Sequence, residues 1–314
     1  MAKSLRLINI AIMLLALAAT AEAQVAFSEG TGKIAIEING QPFSDLYLPP
    51  NAPKPYLYPL RSATGKAITR QFPMAEVPGE SRDHQHHRGL WFGHFDVNGT
   101  DFWSNEPSYH DKNSGMFVAR GAPESKNGNK AGTLHASFDW NDPSGKTLLR
   151  EERTMVFYAD RDQRRIDFDI LLTGVAKCVF GDNKDGTFAI RLADDLSEMH
   201  TGMMVNSLGK ERMAGVWGQR ADWVDYSGRV EGEELGVAIF DHPANPGHPN
   251  RWHSRDYGLL ANNPFGNQAF DKEALVSTRT LEPGQTWRYR WRVVIHTGDA
   301  KKARIAEMYR DYAR

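Results

Sequence analysis

Cysteine is nearly absent. Cys178 stands alone in the chain, so no disulfide can tie two parts of it together, and stability must come from a core that a chain of this length can bury. The setting "AKCVFG" predicts a buried, inert thiol at Cys178 rather than a nucleophile. Neither sign of charge is in excess, with 38 Lys and Arg against 39 Asp and Glu. That balance gives no electrostatic reason to expect nucleic acid or an anionic membrane as partner. Repeats and low-complexity segments are missing as well. Beyond the first two dozen residues no hydrophobic run is long enough to span a bilayer, which takes roughly 20 apolar residues.

Those first residues, "MAKSLRLINIAIMLLALAATAEA", carry Lys3 and Arg6, an apolar run from Leu7 to Ala19, and the A-x-A signal Ala21-Glu22-Ala23. The pattern predicts a secretory signal over residues 1–23, cut before Gln24, and a periplasmic or secreted protein. No Cys follows the cleavage point, so no lipid anchor is expected there. The remainder, residues 24–314, reads as one domain.

Its dominant period is two. Ile34, Ile36 and Ile38 alternate in "GKIAIEING"; Leu134, Ala136, Phe138 and Trp140 in "LHASFDW"; Ile166, Phe168, Ile170 and Leu172 in "RRIDFDILLTG"; Trp287, Tyr289, Trp291 and Val293 in "TWRYRWRVVIH". This is the pattern of antiparallel strands with one wet face, and turn signals such as "KNGN", "DNKDG" and "LEPGQ" separate them. Helical spacing occurs only at the end, with Ile305, Met308, Tyr309 and Tyr312. The expected fold is mainly β: a large antiparallel β-sandwich with long loops and a C-terminal helix.

Two stretches concentrate the chemistry. The first, "SRDHQHHRGLWFGHFDVNGTDFW", holds His84, His86, His87, Arg88, Trp91, His94, Asp96, Asp101 and Trp103. In extended backbone His84, His86 and Arg88 share one face. Two imidazoles at i and i+2 can chelate a divalent metal, with His94 or Asp96 as a third ligand, although the spacing matches no established metal motif. Alternatively, histidine supplies an acid or base near neutral pH, with Arg88 steadying an oxyanion. A third reading makes the group a polar knot at a sheet corner.

The second stretch, "IFDHPANPGHPNRWHSRDYGLLANNPFG", has prolines 243, 246, 249 and 264, which predict irregular backbone after Phe240. It offers Asp241, His242, Trp252, His253, Arg255, Asp256 and Tyr257; Trp252 can stack on a sugar ring, and Arg255 and Asp256 can hold hydroxyls. Between the stretches lie Trp217, Arg220 and Trp223, then Arg191, Glu198 and His200. Glu198 reads more readily as an exposed carboxylate than as a partner for a catalytic histidine. Met199, His200, Met203 and Met204 are soft ligands of the kind copper takes, against the commoner reading of core methionines.

The stretches "DHQHHRGLWFGHFDVNGTDFW", "WGQRADWVDYSG", "IFDHPANPGHPNRWHSRDYGLLANNPFG" and "LEPGQTWRYRWRVVIHTG" resemble one exported bacterial family of unknown function, often carrying the automatic label "methane oxygenase PmoA". A methane monooxygenase subunit of that name spans the membrane several times, which this chain does not, so the label is set aside. The resemblance implies a sandwich similar to the galactose-mutarotase supersandwich, a saccharide groove across a sheet, and an acid/base pair of His and carboxylate. The positions it carries over are His84, His86, His87, Arg88, His94, Asp241, His242, Trp252, His253, Arg255 and Asp256.

The expectation is therefore an exported enzyme acting on a sugar or keto-sugar derivative by epimerisation, elimination or hydrolysis. His86 or His87 would be the base, His253 or His242 its partner, Arg88 and Arg255 the anion holders, and Trp91 and Trp252 the stacking platforms. His84, His94, Asp96, Trp103, Arg220, Asp241, Asp256 and Tyr257 complete the expected binding set, and no cofactor is expected. The rivals are a non-catalytic saccharide-binding module and a metal-dependent or copper- or zinc-binding periplasmic protein, with His84, His86 and His94 as candidate ligands.

Overall fold

The structure is a computed structural model that describes residues 24–314; the expected signal over 1–23 lies outside the described residues. Two antiparallel sheets carry the fold. The first has eight strands in the spatial order Val25–Gly30, Lys33–Ile38, Gln41–Tyr47, Tyr56–Tyr58, Leu90–His94, Gly186–Arg191, Leu259–Asn263 and Arg251–Arg255. The second has nine, among them Trp223–Val230, Glu233–Asp241, Thr286–Thr297, Arg164–Gly174, Thr147–Tyr158 and Ala131–Asn141.

The period-two stretches are strands as expected. Residue by residue, Ala131–Asn141 and Arg164–Gly174 alternate between buried and half-buried positions. Their inward side chains meet those of the first sheet in one core, where Phe188 stacks flat on Trp291 at 4.6 Å and the Trp291 indole donates to Asn262 Oδ1 at 2.9 Å. Trp140, Glu151 and Arg153 put a buried ion pair into this interior, with Arg153 Nη2 left without a partner. The Trp140 indole donates to one Glu151 oxygen at 2.9 Å and the Arg153 Nε to the other at 2.6 Å. The expected C-terminal helix forms over Ile305–Tyr312 and lays Ile305 and Tyr309 on the outer face of the nine-stranded sheet, against Phe240 and Trp223. Among the described residues no helix is long and apolar enough to cross a membrane. Cys178 is buried, its thiol donates to the Leu148 carbonyl at 3.2 Å, and burial pushes it up to about 11.

Two local expectations fail. The proline-rich stretch after Phe240 is irregular only as far as Asn250. Arg251–Arg255 and Leu259–Asn263 then form a hairpin that completes the edge of the eight-stranded sheet, because beyond Pro249 the chain is free of proline until Pro264. Residues 81–89 are not an extended strand. They loop, with His84 at φ +40°, so His84, His86 and Arg88 do not share a strand face.

Removing the aromatic ring that joins the two sheets tests this packing. Phe188→Ala should cost about 3–5 kcal/mol, read as a fall in the urea midpoint with the transition slope unchanged.

Candidate functional site

The outer face of the eight-stranded sheet presents a straight row of five side chains. Tyr56 faces Trp91, Trp91 faces Ala189, Ala189 faces Ala261 and Ala261 faces His253. The two alanines leave a level floor, and the aromatic rings lie to one side of it. Trp103, from the loop after Leu90–His94, packs on Trp91 at 4.8 Å, and Tyr56, Tyr58 and Leu259 complete this second, smaller core. One register step along, Arg191, Leu259 and Arg255 make the next row on the same face.

The histidine loop lies over this floor. Gly89 ends it where a Cβ would meet the Leu57 carbonyl oxygen at 2.1 Å, so only glycine lets the loop drop into the strand. Above the floor His87 stacks on Trp91 at 5.1 Å, His84 stacks on His87 at 4.9 Å, and Tyr257 stacks on His84 at 5.1 Å. Tyr257 comes from the turn of the 251–263 hairpin, so the two sequence clusters meet in this column of rings. His86 packs edge-on to His87 at 4.3 Å. His84 covers the other two: its side chain is 43 % exposed, while His86 and His87 are buried.

Each Nδ1 has a protein partner: Asp83 Oδ2 at 2.7 Å for His84, the Tyr109 hydroxyl at 2.9 Å for His86, and Arg191 Nη1 at 3.4 Å for His87. None of the three Nε2 atoms makes a hydrogen bond among the described residues. Arginine only donates, so His87 Nδ1 accepts and its proton sits on Nε2.

Charge surrounds the rings unevenly. Arg70 and Arg191, both fully buried, share the Asp83 carboxylate, Arg191 at 2.8 Å. Arg88 is committed to the buried Glu106 through a two-pronged pair at 2.6 and 2.8 Å. Lys54, fully buried, donates to the Trp103 carbonyl and is lowered to about 8 by burial, against the pull of Glu106 and Asp101. Burial, together with Lys54, His84, Arg70 and Arg191, holds His86 down at about 2. Burial and the neighbouring His86, Arg191, His84 and Arg70 hold His87 well below its ordinary range. Asp83 is pulled below the usual carboxylate range: burial raises it, but the bonds from His84 and the two guanidiniums outweigh that. Both buried imidazoles are therefore neutral at neutral pH, not groups titrating near 7.

Other expected site residues go elsewhere. His94 points into the sandwich, between Phe180 and Phe265, with Nε2 bonded to the Gly181 carbonyl at 2.9 Å; it shares no ligand set with His84 and His86. Trp252 also points inward, its indole donating to the Ala221 carbonyl at 2.9 Å, and cannot serve as a stacking platform. His242 packs on Tyr312 of the C-terminal helix, over the outer face of the other sheet, so it is no partner for His87. Asp241 is a buried anchor for Asn245, His248 and Asn250. Arg220 holds the Gly247 and Pro249 carbonyls, and Asp96 caps the turn at Gly99. Arg88 clamps two loops rather than waiting for an anion.

Asp256 offers its carbonyl to the Tyr226 hydroxyl at 3.0 Å. Glu198, half-buried rather than exposed, accepts from the Met204 and Met213 amides. Met204 is buried and Met199 faces solvent, so the methionines form no common ligand set. Trp217 packs on Phe270, and Trp223 lies under the helix. His253 stays on the site's face, about 14 Å from the Trp91 column at the usual strand spacing, and is lowered to about 4 mainly by burial.

Lys54, Arg70, Glu106 and Tyr109 escaped the sequence reading. Only Lys54 carried a signal, a lone cation between Pro53 and Pro55. Of four surface hollows, the one of about 430 Å³ reaches the site at Glu106, and those of about 610, 400 and 370 Å³ are lined by residues elsewhere. Among the described residues no group of three or more His, Cys, Asp or Glu is arranged to hold a metal ion.

A family model described as a family of unknown function (DUF6807) matches residues 33–310, without the PmoA label. A search of curated proteins finds no match. Solved structures that resemble the chain include the galactosidase domain of an α-galactosidase-sucrose kinase (9 % identity, TM-score 0.46, 87 % of this chain and 42 % of that one). Another is a galactose mutarotase related enzyme from Lactobacillus acidophilus (9 %, 0.35, 87 % and 97 %). A third is galactose 1-epimerase from Lactobacillus acidophilus NCFM (8 %, 0.38, 89 % and 100 %). The chain spans about two fifths of the length of the galactosidase-kinase structure. With every TM-score below 0.5, these likenesses carry no weight in assigning an activity.

The buried imidazoles predict a pH dependence of stability. Held neutral when folded, they protonate near 6.5 when unfolded, so their contribution is complete above that pH and is lost as pH falls. Each removes at most about 1.4 kcal/mol per pH unit. His248 and His296, raised by Asp241 and Asp225, act in the opposite sense. Replacing His86 and His87 together with Gln should flatten the fall in urea midpoint between pH 7 and 5.

Proposed function

The chain belongs to this family of unknown function, and we propose that it binds a sugar or keto-sugar derivative on the outer face of its eight-stranded sheet and moves a proton on it. The observation that carries the reading is the meeting of two stretches far apart in sequence: the His84 ring lies between His87 and Tyr257, beside three imidazole Nε2 atoms with no protein partner. Aromatic faces with a few convergent N–H groups are the chemistry that sugars require. His87 Nε2–H is a donor to a hydroxyl or carbonyl oxygen. In the tautomer this reading requires, His86 gives Nδ1–H to the Tyr109 hydroxyl, keeps the Nε2 lone pair and takes a proton from carbon or from a hydroxyl. Epimerisation, elimination and hydrolysis each need such a transfer. The secretory pattern over 1–23 supports the periplasm or the exterior as the site of action.

One observation favours a second reading, a binding module without catalysis. The burial that keeps His86 neutral also makes it a weak base. Screening sugars and keto-sugars for binding and turnover, with His86→Gln alongside, separates the two. The enzyme reading expects the variant to lose 10²–10⁴-fold in kcat while binding changes little. Binding without turnover, equal in both proteins, would leave the module, and no binding by any sugar would end both readings.

A further inference from the structure

Arg255 stands apart from the other cations of this face. Arg70 and Arg191 share Asp83, Arg88 holds Glu106, and Lys54 lies near Glu106 and Asp101. Arg255 makes no ion pair and no side-chain hydrogen bond among the described residues, and its Nε is buried without a partner. Asp185, on this part of the sheet, is taken up by Lys184 at 2.9 Å and approaches His253 at 3.6 Å. Half-buried, Arg255 extends from the same register row as Arg191, and the two guanidiniums lie 5.6 and 4.6 Å from the Tyr257 ring. Arg191 Nε also lacks a partner. A half-buried guanidinium with no counter-ion, beside a ring that already stacks in the column, is costly unless something negative completes it.

We propose that the substrate is an acidic sugar derivative, a uronic or aldonic acid, whose carboxylate is held by Arg255 at the rim while its ring lies against Tyr257 and His84. The inference rests on the saccharide reading above and names the class of saccharide. The carboxylate oxygens accept from Arg255, Arg191 adds long-range attraction from beneath Tyr257, and the hydroxyls meet the imidazole Nε2 atoms. Divalent cations are poor occupants of the same place, because Arg70, Arg191 and Lys54 all repel them.

Isothermal titration of the protein with matched pairs tests this: D-glucuronate against D-glucose and D-galacturonate against D-galactose, in low and in high salt. At least one acid should bind about tenfold more tightly than its neutral partner, and high salt should shrink the difference. Arg255→Gln should abolish the preference by weakening the acid more than its neutral partner, whereas Arg255→Lys should keep part of it. Thermal melting checks that both variants fold, as a half-exposed position predicts. Neutral sugars binding as tightly as their acids would overturn the acidic class and leave the saccharide reading standing. An acid preference that survives Arg255→Gln would overturn the assignment to Arg255. Binding by neither member of any pair would overturn both.

Discussion

The site hangs on one register, the pairing that sets Ala189 opposite Trp91 on one side and Ala261 on the other. Because side chains alternate along a strand, this pairing sends Phe188 inward onto Trp291 while it leaves Ala189 on the outer face. A slip of one residue would put Phe188 outside and Ala189 in the core, losing the ring contact between sheets and filling the floor on which the histidine column stands. Stability of the sandwich and shape of the site are thus set by the same strand. The inner face is selected by apolar area, and the outer face inherits whatever lies at the intervening positions.

What the sequence showed was the part that obeys a period. The strands Lys33–Ile38, Ala131–Asn141, Arg164–Gly174 and Thr286–Thr297, and the helix at the end, were legible because burial on one face imposes alternation or helical spacing. The histidine loop has no such constraint. Its shape comes from Gly89 fitting against Leu57, from Arg70 holding the His84 carbonyl at 2.9 Å, and from Arg88 gripping Glu106. These are contacts between segments, and nothing local in "SRDHQHHRG" encodes them.

The same limit explains which site residues were misplaced. His94 and Trp252 look as functional in sequence as His87 and Tyr257, since residue type is all that can be read there. In the fold, His94 lies on the strand parity of Leu90 and Phe92, and Trp252 on that of Ser254, opposite to His253. Parity alone sends the first two into the core and leaves His253 outside. His242 belongs to the other sheet altogether, because Glu233–Asp241 runs beside Thr286–Thr297. The word "cluster" in one dimension therefore joins residues that two sheets pull apart.

Why imidazoles should gather at this point follows from the charge around them. A metal centre gains from carboxylates near its histidines and loses from cations. Here two fully buried guanidiniums and a buried ammonium crowd the rings, and only one of the three imidazoles, His84, meets a carboxylate. Charged imidazolium in that field would be repelled, which is why His86 and His87 stay neutral. Neutral imidazole places a donor and an acceptor among cations without adding to their charge or cancelling it. It leaves the positive field intact for a ligand while its own N–H and lone pair face that ligand. The neutral His86 and His87 among arginines are what the proposed ligand, with hydroxyl groups beside a carboxylate, would need.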